Sequence, residues 1–386
     1  LGGLDLPAAE SARILERLGF TVDTTDGKFA VHVPSWRADV DGEADLVEEV
    51  VRVAGYDRVP AVPLPPMTAL PEPAVTPAQR RAGLAKRVLA ARGLLEAVTY
   101  SFADSRIATL FGAGNLPLAL ANPISAELDV MRPSILPNLL TAARRNADRG
   151  YPDLGLFEVG PQYADDTPEG QDLMATGVRT GQSGPRHWAE RPRPVDVFDA
   201  KGDALALLAA LGAPVDNLQV STDAPGWYHP GRSGCLRLGP TVIARFGEIH
   251  PRVLRRLDVK GPAVAFELFL DRVPQPKARK DAGATRPLLQ ASPFQPVERD
   301  FAFVVDESVP AEKLIRAAKG ADKALVSNVG LFDVYAGPNL GAGRKSLAIT
   351  VTLQPTDHTL TEAEIEAASQ KIVAAVVKAT GGSLRS

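Results

Sequence analysis

Residues 300–335 read DFAFVVDESVPAEKLIRAAKGADKALVSNVGLFDVY, and residues 345–353 read KSLAITVTL. Asp300–Val305 predicts a strand, Pro310–Lys319 a helix, and Leu325–Tyr335 a second strand followed by a Gly-Pro turn. Lys345–Leu353 alternates apolar and polar residues, the period of a half-buried strand. Thr361–Thr380 then has the spacing of a long amphipathic helix, and the tail from Ser383 is read as a short last strand. The order β-α-β-β-α-β is the split βαβ, or ferredoxin-like, plan. The same topology underlies many RNA-binding sheets.

Outward from this segment, 386 residues predict two or three units at roughly 150 residues each. The composition is that of a globular chain, 45% hydrophobic and 23% charged. Lys+Arg at 43 against Asp+Glu at 46 leaves a net charge of −3, so nucleic-acid contact has to come from a local patch. The single cysteine, Cys235, excludes an internal disulfide and any zinc cage built on cysteine pairs. No apolar run approaches the roughly 18 residues of a membrane span, so no membrane is expected; the single cysteine is compatible with a reducing cytosol, and the expected location is cytoplasmic. The start, Leu1-Gly2-Gly3-Leu4-Asp5, has neither a Met nor a secretory leader and reads as a chain cut in the middle, with an upstream region missing.

Prolines cluster at Pro60–Pro77 (PAVPLPPMTALPEPAVTP) and Pro274–Pro287 (PQPKARKDAGATRP), segments unsuited to a helix or a central strand. They divide the chain into expected domains at 1–62, 75–273 and 293–386, an α+β multidomain protein. In the first, helices are expected at Ala8–Leu18 and Glu43–Ala54, with a strand at Phe29–Val33. The middle unit starts with a helix capped by Thr76-Pro77. Strand-like runs follow at Ala97–Phe102, Pro117–Ala121, Gly155–Val159, Val242–Phe246 and Ala263–Leu270, with helices near Leu136–Arg149 and Asp203–Leu211. This mixture predicts a largely antiparallel sheet with helices on one face.

The densest acidic constellation is Asp39, Asp41, Glu43, Asp45, Glu48 and Glu49. On a helix, Asp45 shares a face with Glu48 and Glu49, and such like charges repel unless a cation or an arginine compensates. All-oxygen ligands suit Mg²⁺; an acidic first turn favouring the helix dipole and pointing into water is the other reading. His229 and His250 each precede a proline and have no paired carboxylate spacing. No GxSxG, HExxH or GxxxxGK[ST] is present, which leaves a hydrolase or a P-loop enzyme without support. In the last unit Arg299, Asp333, Tyr335 and Lys345 are the candidate RNA contacts. Strand alternation sets Asp333 and Tyr335 on one face and assigns Phe332 and Val334 to the core.

Read together, these segments resemble the beta-subunit family of bacterial phenylalanine–tRNA ligases, in its C-terminal half. Val33–Pro60, VPSWRADVDGEADLVEEVVRVAGYDRVP, resembles that family's B5 domain. MRPSILPNLLTAARRNADRG from Met131, LFEVGPQY from Leu156, WYHPGRSG from Trp227 and FGEIHP from Phe246 resemble its catalytic-like domain. SPFQPVERDFAFVVDE from Ser292, LFDVYAG and KSLAITVTL resemble its ferredoxin-fold anticodon-binding domain. The resemblance implies a winged-helix-like B5 module, a class II synthetase-like but inactive sheet domain, and a tRNA-binding domain. It implies assembly with a catalytic alpha subunit into an alpha2beta2 heterotetramer that uses ATP to attach phenylalanine to tRNA(Phe). It also implies Mg²⁺, shared with the alpha subunit, on Asp39, Asp45, Glu48 and Glu49. The lack of a GxGxxR-type ATP motif after LFEVG agrees with an inactive sheet. The competing expectation is a stand-alone RNA-binding or assembly module, and a metal-dependent nuclease on the acidic helix is a third. Co-purification with an alpha chain separates the first two; RNA degradation stopped by chelation marks the third.

Overall fold

The computed structural model describes residues 2–64, 73–114, 117–274, 288–289 and 291–385. Residues 65–72 and 275–287, within the two proline-rich stretches expected as connections, lie outside these. The chain divides into two compact units, Leu1–Ala74 and Val75–Ser386.

The first unit runs α1 (Ala8–Arg17), β1 (Thr21–Thr25), β2 (Lys28–His32) and α2 (Glu43–Ala54). The two strands pair antiparallel from Thr21 opposite His32 to Thr25 opposite Lys28. Asp26 and Gly27 between them both have positive φ, 53° and 75°, the signature of the tight primed turn that suits hairpin twist. β1 was not expected, because it is polar and almost wholly exposed and carries no apolar alternation. Leu15, Phe20 and Val40 form a small core, with Leu46 and Val50 packed on it. At the start of α2 the Asp45 carboxylate accepts the backbone N–H groups of Asp41 and Gly42 at 2.9 and 2.8 Å, satisfying donors that a helix end leaves free.

The second unit begins with α3 (Pro77–Ala91), β3 (Leu95–Glu96), β4 (Phe102–Ala103), α4 (Ser105–Ala108), β5 (Val130–Met131) and α5 (Leu136–Ala147). β6 (Leu154–Tyr163), β7 (Gln171–Thr180), α6 (Val197–Ala210), β8 (Gln219–Ser221), β9 (Tyr228–Leu238), β10 (Thr241–Ile249), α7 (Pro251–Leu257) and β11 (Ala263–Phe269) follow. Seven strands make one sheet in the order β3-β6-β7-β11-β10-β9-β8, antiparallel except for β3 with β6. The expectation of helices on one face is corrected. Ala85 and Leu89 of α3 and Ala204, Leu207 and Leu208 of α6 pack with Val264, Phe266 and Leu268 of β11. Leu136, Leu139 and Leu140 of α5 and Val253 and Leu254 of α7 pack with the alternate residues Ala265 and Phe269. Both faces are covered, since every residue of β11 is buried and a strand apolar on both sides needs a layer on each. The expected strands at Ala97–Phe102 and Pro117–Ala121 also do not form. Only Phe102–Ala103 and an isolated bridge from Ala119 to Val130 pair there.

On the face toward α5 and α7 a polar row crosses the sheet. Directly opposed pairs run Glu158–Thr176, Thr176–Glu267, Glu267–Arg245 and Arg245–Cys235, and opposed residues share a face. Glu267 accepts hydrogen bonds from Ser134 Oγ at 2.7 Å and from Trp227 Nε1 and Tyr228 Oη at 3.1 Å each. Glu158 pairs with the buried Arg132, Nη1 to Oε1 at 2.8 Å. Each carboxylate is compensated, as burial requires.

The chain ends with β12 (Val297–Asp306), α8 (Ala311–Ala321), β13 (Val326–Tyr335), β14 (Arg344–Leu353), α9 (Glu362–Thr380) and β15 (Ser383–Leu384). The sheet order is β13-β14-β12-β15, the ferredoxin-like plan read from Asp300 to the tail after Ser383. Phe301, Phe303 and Val305 and their neighbours Leu347, Ile349 and Val351 face Leu314 and Ala318 of α8 and Ile365, Ile372 and Val376 of α9. Among the described residues, no helix of this domain packs on the other sheet face.

Glu364 closes the α9 N-terminus by accepting the Thr361 backbone N–H and hydroxyl, both at 2.8 Å. The Thr361 N–H, its hydroxyl and then His358 hold the Glu364 carboxyl down to about 2. Because the folded value is depressed, this contribution is complete above the ordinary glutamate pKa and is lost as pH falls from there toward about 2. A carbon-13 NMR titration of the Glu364 carboxyl is expected to show a midpoint near 2, moving upward in Thr361→Ala. An unshifted midpoint in the wild type would contradict the cap geometry.

Candidate functional site

The first candidate is the acidic cluster of the first unit. Arg37, in the loop before α2, donates to both oxygens of Asp39, Nε to Oδ1 at 2.9 Å and Nη2 to Oδ2 at 2.7 Å. Its Nη1 donates to Glu49 Oε2 at 2.8 Å, where Arg52 Nη2 also donates at 2.8 Å. The Arg37 guanidinium, ahead of its neighbours, holds Asp39 at about 2, and Arg37 with Arg52 holds Glu49 at about 2. The same two hydrogen-bonded carboxylates push Arg37 up. Asp45 is lowered by the backbone N–H groups of Asp41 and Gly42, and Glu48 is exposed.

The structure thus brings Asp39 and Glu49 together across one guanidinium, turns Asp45 back onto the helix end, and leaves Glu48 at the surface. Among the described residues no three of His, Cys, Asp and Glu converge on a point fit for a metal ion. Mg²⁺ demands near-octahedral oxygens at roughly 2.0–2.1 Å, and this arrangement does not fit it. Arg37 was not singled out from the sequence. Its signal was the repulsion itself: acids at helical spacing call for a compensating cation, and Arg37 and Arg52 are the nearest in sequence.

The second candidate is the uncovered face of the C-terminal sheet. Asp333 lies opposite Ala348 and Tyr335 opposite Ser346, positions that alternate with the core residues Leu347 and Ile349, so both point to the open face. The Arg385 guanidinium lies 5.6 Å from the centre of the Tyr335 ring, within cation–π range. Arg299 is exposed but stands opposite Val351, and Lys345 opposite Val305. Both partners belong to the core, so these two basic residues project on the helix side. Lys345 Nζ donates to the Glu307 carbonyl at 2.7 Å.

The assignment of Phe332 and Val334 to the core is corrected, since they are 59% and 55% exposed. The pairing skips Phe332 between Leu331 opposite Ile349 and Asp333 opposite Ala348. A bulge of this kind breaks strict alternation. β13 is also an edge strand, so Val334, though opposite the core residue Leu347, has a neighbouring strand on one side only. Arg385 was missed because a lone basic residue in a tail has no pattern.

Three family models match the chain in succession. The tRNA synthetase B5 domain matches residues 1–56, the phenylalanyl tRNA synthetase beta chain CLM domain residues 63–270, and the ferredoxin-fold anticodon binding domain residues 292–385. The phenylalanine–tRNA ligase beta subunit of Rhodospirillum rubrum is 58% identical over 388 residues, covering 100% of this chain and 48% of that protein. That of Paramagnetospirillum magneticum is 55% identical over 385 residues, with the same coverage. The chain therefore spans about half the length of the curated relatives it matches. A crystal structure of pyrrolysyl-tRNA synthetase from Desulfitobacterium hafniense aligns over 51% of this chain and 67% of its own, at 16% identity and a TM-score of 0.40, a score from which no shared fold follows. With more than half of its residues matched by the beta chain CLM domain alone, the chain belongs to the phenylalanyl-tRNA synthetase beta chain family.

Proposed function

We propose that this chain is the part of a phenylalanine–tRNA ligase beta subunit that supports ATP-dependent attachment of phenylalanine to tRNA(Phe) without carrying the chemistry itself. The observation that carries this reading is the succession of three synthetase domain matches along the whole chain. The partner is a catalytic alpha subunit, in an alpha2beta2 assembly working in the cytoplasm. Within it, 1–62 is a winged-helix-like B5 domain, 75–273 an inactive class II-like sheet domain, and 293–386 the domain that takes the anticodon. No described helix is long and apolar enough to cross a membrane.

Each part has a physical task. The buried carboxylates of the large sheet are committed to internal partners, which favours a structural over a catalytic use of that face. The open face of the C-terminal sheet offers Tyr335 for base stacking and Asp333 as an acceptor for base N–H groups. Arg385 extends it with positive charge, and Arg299 and Lys345, which project on the helix side, are proposed as weaker phosphate contacts for backbone that passes around the sheet. For Asp39, Asp45, Glu48 and Glu49 the magnesium role is proposed only in an arrangement that frees them from Arg37 and the α2 terminus. No step of the reaction is routed through that ion.

The test is reconstitution. The chain alone is expected to give no phenylalanine-dependent ATP–pyrophosphate exchange and no aminoacylation, since activation needs groups that fix ATP beside the amino acid. Adding a cognate alpha chain is expected to form a stable complex and support both. Robust exchange by the chain alone, or failure of any alpha chain to bind it, would overturn the reading.

A further inference from the structure

The acidic cluster is closed by its own cations. Asp39 and Glu49 contribute two negative charges, and Arg37 and Arg52 return two positive ones within 2.7–2.8 Å. Both Asp39 oxygens and Glu49 Oε2 already accept these N–H groups. The guanidinium is also built into the module. It lies 5.6 Å from the centre of the Phe20 ring, and Phe20 is a core residue. The Glu49 side chain is only 10% exposed, so without a counter-charge it would be a poorly solvated anion.

A planar guanidinium and a hexacoordinate ion make incompatible demands on these oxygens. The fork of Arg37 fits two carboxylates side by side in one plane, whereas Mg²⁺ gathers oxygens around a point and keeps several waters. We propose that Arg37 is the resident counter-cation of Asp39 and Glu49, and that a divalent ion reaches these carboxylates only by exchanging with it. The magnesium role that the resemblance implies then describes the product of an exchange, not the arrangement of the chain by itself. The inference stands apart from the magnesium role in the assembled enzyme. That role fails if the alpha–beta complex holds no Mg²⁺, whereas the exchange is decided on this chain by itself.

The experiment compares melting of the 386-residue chain in EDTA and in millimolar MgCl₂, with a calorimetric Mg²⁺ titration alongside. The wild type is expected to melt at the same temperature in both and to show no resolvable heat of binding. Arg37→Gln is expected to melt roughly 5 °C lower in EDTA and to recover at least half of that loss in Mg²⁺. Arg37→Gln combined with Glu49→Gln is expected to melt above Arg37→Gln in EDTA and to lose the response to the ion. Should Arg37→Gln fail to fold, Arg37→Lys keeps the charge without the two-sided fork and is expected to show a smaller rise with Mg²⁺. A rise in the wild type, or no ion-dependent rise in either Arg37 variant, would overturn the exchange.

Discussion

Replacing Arg132 by Ala is expected to lower the stability of the second unit by about 3–5 kcal/mol, because it leaves a buried carboxylate without its cation. Arg132 is 1% exposed and Glu158 4%. Besides its 2.8 Å contact with Glu158 Oε1, Arg132 donates through Nε to the Pro161 carbonyl and through Nη1 to Thr99 Oγ1, both at 2.9 Å. The Thr99 hydroxyl in turn donates to Glu158 Oε2 at 2.6 Å. The network ties β6 to the segment before α5 and to the stretch after β3. Gly160 leaves room for it, since a Cβ there would come within 2.9 Å of Arg132 Nη2. Taking out both charges at once should cost much less than taking out one. Arg132→Met with Glu158→Leu is therefore expected to recover most of the loss. Urea unfolding of the single and double variants measures this directly. A cost below about 1 kcal/mol for Arg132→Ala would mean that Glu158 finds water.

The parts of the fold readable in the sequence are those where one physical signal acts alone. α2 runs over Glu43–Ala54 as its spacing predicts, closed by Gly55 at a positive φ. The C-terminal topology followed from strands whose inner residues, such as Phe301, Phe303 and Val305, alternate with solvated ones. Where two faces are buried the alternation disappears; β11 remains readable as an unbroken apolar run, whereas β7, between β6 and β11, was passed over because Thr176 and Gly177 interrupt its apolar residues. β9 was hidden by Pro230 and Gly231, which sit where its pairing with β10 jumps from Ser233 to Tyr228. A missing N–H costs nothing at an irregularity.

The candidate sites divide on the same line. Local spacing located the acids of the first unit, but not the loop arginine that pairs with Asp39 and Glu49. Strand period set Asp333 and Tyr335 on the open face. It misjudged Phe332 and Val334 because a bulge and a sheet edge are tertiary facts.

In the proposed alpha–beta assembly, Tyr335→Ala is expected to raise the KM for tRNA(Phe) by about 10- to 100-fold while kcat at saturating tRNA stays close to wild type. Stacking of one base on an aromatic ring contributes roughly 1–3 kcal/mol, and about 1.4 kcal/mol is tenfold in affinity. The loss falls on KM because the contact is made equally in the bound ground state and in the transition state. Tyr335 is poised for this by its place on the open face opposite Ser346 and by Arg385 beside its ring. Arg385→Ala is expected to weaken binding less and to lower the salt dependence by about one phosphate contact. Lys345→Ala is expected to have the smallest effect of the three, because its ammonium is held by the Glu307 carbonyl on the helix side. The ranking separates the two sides of the sheet. An unchanged KM for Tyr335→Ala, with a clear rise for Lys345→Ala, would put the RNA on the helix-bearing side and would overturn the open-face reading while leaving the ferredoxin-like fold intact.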